Sequence, residues 1–206
     1  MELYYRTAAL ESIARKILKR FDENYLNLEP QAVPLEKIVE QTFGLTLEYV
    51  YITEKMQILG RMVYDNGFIG VYNPELENYE LFKVSQDTIL IDVRLLEDPK
   101  LYGRYRFTLA HELAHWVLHK KLFQGTRMAA ATDGNILNDD SLERQSNNLA
   151  KAILMPAGQL KRAFYGLAIH KNMGRNTKET GIQKLADIFE VSNEAMRYRL
   201  QEFRLL

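Results

Sequence analysis

RFTLAHELAHWVLH, residues 106–119, is apolar at most positions and carries no Lys or Arg between Phe107 and His119. A solvated helix face ordinarily carries Lys, Arg, Gln or Ser; here the polar positions are Thr108, His111, Glu112, His115 and His119. With 3.6 residues per turn, and His111 set at zero, His115 falls at about 40°, Thr108 at about 60°, His119 at about 80° and Glu112 at about 100°. The polar residues therefore share one narrow stripe. Phe107, Leu109, Ala110, Leu113, Ala114, Trp116, Val117 and Leu118 cover most of the remaining circumference, so the spacing predicts a helix buried at the centre of a domain. Its polar stripe must find partners there or face a cleft, because unpaired buried polar groups are costly.

A metal ion supplies those partners. Histidines at i and i+4 project from one helix face, and their ring nitrogens can converge on one ion at about 2.0–2.1 Å. His111 and His115 are thus candidate ligands. Glu112 is offset enough to miss the ion yet reach a water beside it, which is the logic of H-E-x-x-H. The alternative, an ordinary amphipathic helix that happens to place histidines in its wet stripe, is the poorer account in a chain with 4 histidines among 206 residues. His119, one turn further on, is read as a helix-end cap or as support for a ligand rather than as a ligand itself.

Two histidines leave a catalytic ion short of its usual three protein ligands. His170 stands alone in a basic stretch and reads as a surface residue, so the third ligand should be a carboxylate. SLERQSNNLAKAILMP, 141–156, is the candidate helix: Leu142, Ser146, Leu149, Ala150 and Ile153 lie at core-facing spacing, with Glu143 one position off that stripe and Asn147 one turn along the same side. Glu143 competes with Asp133, Asp139 and Asp140. It could equally close a capping box with Asp140 as the N-cap.

Outward from these helices, residues 3–21 read as an amphipathic helix and 34–44 as a second, short one with Pro34 near its start and Gly44 just past its end. Strands are predicted at 45–52, 58–64, 67–72 and 88–95, the middle two flanking Asp65-Asn66-Gly67, a hairpin signal. Residues 181–206 read as helix, tight turn, helix, with Leu185, Ala186, Phe189, Val191 and Met196 at helix-turn-helix spacing and Ser192 as N-cap. The order α, β, α favours an α+β fold: a small antiparallel or mixed sheet packed with helices.

Apolar residues make up 47% of the chain, so a packed core is expected rather than disorder. The net charge is zero, which removes any global attraction to nucleic acid or membrane. The absence of cysteine excludes disulfides, thiolate ligands and thiol nucleophiles, and fits a cytoplasmic protein. The N-terminus has no apolar h-region, and no stretch approaches a membrane span. In residues 182–206 Lys184, Arg197, Arg199 and Arg204 are cancelled by Asp187, Glu190, Glu194 and Glu202. Phosphate neutralisation needs an excess of cations, so packing or partner docking is favoured over DNA binding, although 158–178 is basic.

Taken together, H-E-x-x-H and the Glu143–Pro156 segment resemble the ImmA/IrrE metallopeptidase family, whose second motif runs E-x-x-A-N-x-F-A and ends in L-L-M-P. Here it reads Glu143, Ser146 in place of Ala, Asn147, Leu149 in place of Phe, Ala150 and Ile153-Leu154-Met155-Pro156. The exchanges are small for small and apolar for apolar. The resemblance covers most of the chain, in layout more than in letters over the first hundred residues, and some members continue into a C-terminal sensor domain. It implies His111, His115 and Glu143 as metal ligands, Glu112 as general base, and His119 and Asn147 as supporting residues. It also implies a zincin-like endopeptidase in residues 1–156, with residues 157–206 forming a basic connector and helix-turn-helix-like segment. Zn²⁺ suits the donor set, and Mn²⁺ or Fe²⁺ would tolerate it. The implied partner is a protein substrate, a transcriptional repressor encoded nearby in a bacterial, phage or mobile-element system. The rival expectation is a non-catalytic DNA- or protein-binding regulator with a structural metal. An extended substrate could add to a sheet edge, for which 88–95 is the candidate.

Overall fold

A computed structural model describes residues 5–124, 140–169 and 174–206. Helix α1 (Thr7–Phe21) buries Leu10, Ala14, Ile17 and Leu18, the stripe expected from its spacing. A short helix α2 (Leu35–Lys37) runs into a π turn over Ile38–Thr42, and Gly44, at φ +66°, takes the left-handed conformation that ends it.

Three strands form a mixed sheet in the order β1-β5-β2, where β1 is Thr46–Val50, β2 Gly60–Val63 and β5 Thr88–Asp92. β1 runs parallel to β5, with Thr46 opposite Thr88; β2 runs antiparallel, with Gly60 opposite Ile91. Every residue of β5 is buried, as befits a middle strand covered on both faces. The expectation that 88–95 offers an edge is therefore overturned: β5 is paired on both sides, it ends at Asp92, and Arg94–Glu97 form helix α3. Among the described residues β1 and β2 are the edge strands, and β2 is the one that lies against α4.

The hairpin expected at Asp65-Asn66-Gly67 is also corrected. β2 and β3 (Gly67–Asn73) do not pair; β3 pairs with β4 (Asn78–Val84), a strand the sequence reading missed. Neither Asn66 nor Gly67 takes the positive φ that a type I′ turn requires. Asn66 Oδ1 instead accepts from the backbone N–H of Gln86 at 2.9 Å. The turn that does close a hairpin uses Asn73, whose Oδ1 accepts from Glu75 and Leu76, and Glu77 at φ +47°. β4 escaped notice because Leu81 and Tyr79 lie on its exposed face. Ile69, Val71 and Val84 of this hairpin pack on Ile52, Val63 and Leu90, forming a second layer on the sheet.

The other face of the sheet carries α4 (Tyr102–Phe123), which buries Tyr105, Leu109, Ala110, Leu113, Ala114 and Leu118. Helix α5 (Asp140–Leu154) packs along α4 and ends before Met155-Pro156, as expected; α6 (Ala157–Gly166) follows. Asp140 lies inside the first turn of α5 rather than capping it. Helices α7 (Arg175–Phe189) and α8 (Asn193–Glu202) meet at Glu190, left-handed at φ 51°, and Ser192 Oγ caps α8 by accepting from Ala195 N–H at 3.1 Å. Leu185, Ala186, Phe189, Val191 and Met196 belong to the same apolar cluster as the buried side chains of α1, α4 and α5. Two contacts lock this turn to α4. A Cβ on Gly103 would lie 2.9 Å from Ser192 N, so only glycine allows that approach. Arg106, fully buried, donates to the Val33 carbonyl at 2.8 Å and faces Glu190 at 3.5 Å. Among the described residues, no helix is long and apolar enough to cross a membrane.

Candidate metal centre

The histidine helix and the carboxylate helix meet where their sequences suggested. One helical turn separates His111 and His115, which places their Nε2 atoms 2.9 Å apart. Glu143, from the first turns of α5, bridges the pair: Oε2 lies 3.2 Å from His111 Nε2 and Oε1 3.2 Å from His115 Nε2. Glu143 thus spends its carboxylate on the imidazoles rather than on a capping box with Asp140. Asp133, Asp139 and His170 lie outside the described residues. Among the described residues, His111, His115 and Glu143 are the group able to hold a metal ion, one ligand atom from each lying within 4.8 Å of the others.

The donor set fits a divalent cation. A tetrahedral ion bound at about 2.0–2.1 Å spaces its ligand atoms by about 3.3 Å. The observed 2.9 and 3.2 Å separations need only a slight spreading. Two imidazole nitrogens this close repel through their lone pairs unless a proton or a cation lies between them. The opposite ring nitrogens are also engaged. His111 Nδ1 lies 3.0 Å from Asn147 Oδ1, an acceptor that keeps a proton on Nδ1 and leaves Nε2 as the nitrogen that faces Glu143. His115 Nδ1 lies 3.3 Å from His119 Nδ1. His119 therefore sits behind the ring of His115, on the side away from Glu143. Both residues expected to support the ligands, Asn147 and His119, touch them.

Glu112 is 8% exposed and stays outside the trio. The edge strand presses against it: a Cβ placed on Gly60 would lie 3.0 Å from both its Cγ and its Oε1. Sequence reasoning did not single out Gly60, although a glycine inside a strand is the usual mark of a close backbone approach. Tyr64, just past β2 and packed on Phe123 with ring centroids 5.4 Å apart, was also missed. Burial, and then the fields of Glu112 and Glu143, push its phenol up.

The charges of the trio are coupled. Burial alone would raise the Glu143 carboxyl, but hydrogen bonds from His111 and His115 prevail and hold it well below the carboxylate range. Burial alone would lower His111; Glu143 and Glu112 outweigh it and raise it. In metal-free protein, Glu143 stabilises the fold above its ordinary 4.5, a contribution lost as the pH falls through the depressed pKa. His111 stabilises it below its ordinary 6.5, a contribution lost as the pH rises through the raised one. The cluster supports the metal-free fold best between those values, where the His111 proton also competes with an ion. Thermal melts with and without chelator should differ little at about pH 6 and widely at about pH 8. A chelator effect that does not vary with pH would contradict this coupling.

Ser146, between Glu143 and Asn147 on α5, is fully buried and its hydroxyl has no hydrogen-bond partner among the described residues. Ser146→Ala should raise stability by about 1 kcal/mol, since it removes an unpaired buried hydroxyl and improves helix propensity. Urea denaturation of the metal-free protein measures this, and a loss of stability would mean that the hydroxyl is paired.

A buried H-E-x-x-H helix, clamped between a small sheet and a helix that lends a carboxylate, is the organisation of a metallopeptidase-like domain. Residues 93–201, more than half of the chain, match the family described as the IrrE N-terminal-like domain, peptidase family M78. The chain belongs to that family, and the resemblance drawn from its two motifs is borne out. The fold is similar to that of a Mycobacterium tuberculosis transcriptional regulator of known structure, with a TM-score of 0.53 and 17% identity over 93% of this chain and 55% of that one. This chain thus spans about half the length of that regulator. No curated protein sequence matches it.

Proposed function

We propose that this protein is a metal-dependent endopeptidase that cuts a partner transcriptional repressor. His111, His115 and Glu143 are its metal ligands, Glu112 its general base, and Zn²⁺ its ion, with Mn²⁺ or Fe²⁺ as substitutes the donors would accept. The observation that carries the reading is the convergence of two imidazole Nε2 atoms and the Glu143 carboxylate, 2.9–3.2 Å apart, beside a buried glutamate that takes no part in the trio. A divalent cation held there supplies Lewis acidity to a carbonyl oxygen and acidifies water. Glu112 accepts the proton of the attacking water on its carboxylate and returns it to the leaving nitrogen. Asn147 and His119 hold the imidazoles in the orientation and tautomer that present Nε2.

The substrate is held in extended form along β2. Leu59 accepts from the N–H of Asp92 at 2.9 Å, so in an antiparallel ladder the N–H and C=O groups of Gly60 and Met62 turn away from β5, toward the free edge. A strand added there would run past Glu112. In this reading residues 1–156 carry the chemistry and 157–206 brace it. DNA reading by α7 and α8 is disfavoured, because Arg197 pairs with Glu179, and Arg199 with Glu11, Glu202 and the Met155 carbonyl. A closed structural metal site, as the regulator alternative requires, would recruit a fourth ligand, and His119 lies on the wrong side of His115 to be one. The test mixes purified protein with the repressor encoded nearest its gene, with and without chelator. Cleavage that chelator abolishes supports the proposal, and cleavage indifferent to chelator rules it out.

A further inference from the structure

We propose that Gly60 is the positioning residue for Glu112: by lacking a Cβ it lets the backbone of the edge strand bear directly on the glutamate and fix where its carboxylate sits. The inference rests on the peptidase reading above. A Cβ at Gly60 would stand 2.6 Å from Thr108 Cγ2, closer than carbon atoms approach, and 3.0 Å from both Cγ and Oε1 of Glu112. Thr108 and Glu112 lie one turn apart on α4, so one glycine touches both. Gly60 does not have a positive φ, so the requirement for glycine is steric and not conformational.

The strand cannot step back to make room. Gly60 is paired opposite Ile91, which is fully buried in the middle strand, and Met62 and Tyr64, further along the same face, are buried in the core that contains α4. The distance between β2 and α4 is therefore fixed at both ends, and the shortest side chain available is none at all. A general base has to lie within about 2.6–3.2 Å of the atom that bears the proton it takes. Glutamate reaches that distance through three rotatable bonds, and the wall at Gly60 restricts them without supplying a competing hydrogen bond. Displacing a catalytic group by about 1 Å can cost about 10²-fold in rate. The same residue offers its N–H and C=O to the free edge, so it would set the base and the substrate strand in register with each other.

The test compares Gly60→Ala, Thr108→Ser, the double variant, and Gly60→Ala in a Glu112→Ala background. Urea denaturation of the metal-free proteins comes first. Gly60→Ala should destabilise, and the loss should shrink in both the Thr108→Ser and the Glu112→Ala backgrounds; an equal loss in the Glu112→Ala background overturns the contact. Next, the variants are loaded with Co²⁺. The double variant should bind Co²⁺ at the wild-type stoichiometry, while the pH midpoint of its visible spectrum moves in the direction that Glu112→Gln moves it. Cleavage of the repressor should stay about 10²-fold below wild type even though the loss of stability has shrunk. A double variant with the wild-type pH midpoint and wild-type cleavage overturns the positioning role and leaves Gly60 a packing residue. If wild-type protein loaded with metal fails to cleave, the peptidase reading falls on its own, and the denaturation cycle still decides the contact between Gly60 and Glu112.

Discussion

A Glu112→Gln protein should bind metal at the wild-type stoichiometry and cleave about 10²–10⁴-fold more slowly, the range that removal of a general base commands. The two halves of that result come from different parts of the site. Metal should be retained because the proposed ligand atoms belong to His111, His115 and Glu143, and Glu112 lies outside their group. Activity is lost because an amide cannot accept the proton that a carboxylate takes from water. Glutamine keeps the length and shape of glutamate, so the packing against Gly60 and Thr108 survives and the fold should melt as the wild type does. Repressor cleavage followed by gel, beside elemental analysis of the same preparations, reads both quantities. A Glu112→Gln protein that cuts at the wild-type rate would end the proposed mechanism. One that loses its metal would instead move Glu112 into the ligand set.

The helical half of the molecule was legible in sequence because its signals are local. Apolar spacing placed α1 and α4, Met155-Pro156 ended α5, and Ser192 capped α8, each a matter of residues within a turn or two of one another. His111, Glu112 and His115 were equally readable, since one helix carries all three. Glu143 needed more: its side chain is meaningful only through the packing of α5 on α4, and spacing alone left three aspartates in competition with it. The sheet was read least well. Asp65-Asn66-Gly67 has the composition of a tight turn, yet β2 had already found its partner in β5, more than twenty residues further on, and the turn became a crossover between layers. β5 itself looked like any apolar strand. Only the pairing on both sides makes it a middle strand and leaves β2, and with it Gly60, at an edge of the sheet among the described residues.

Glu143→Ala should be the converse of Glu112→Gln: a folded protein that no longer keeps its metal through dialysis. Two imidazoles remain, but a catalytic ion takes three protein ligands, and the one removed is the anion that both Nε2 atoms face at 3.2 Å. The lost ligand also removes the stabilisation that saturating metal confers, about 3–4 kcal/mol at an ion concentration of 10²–10³ times the dissociation constant. Wild-type protein should therefore melt higher with added Zn²⁺, whereas the variant should melt at one temperature with or without it. Without metal the substitution should be milder, because the Glu143 side chain is 39% exposed and water can replace it around the imidazoles. Glu143→Asp, one methylene shorter, should recover part of the metal content if coordination is what matters. If Glu143→Ala keeps a full complement of metal, the third ligand lies elsewhere in the chain and α5 serves the site only as a wall.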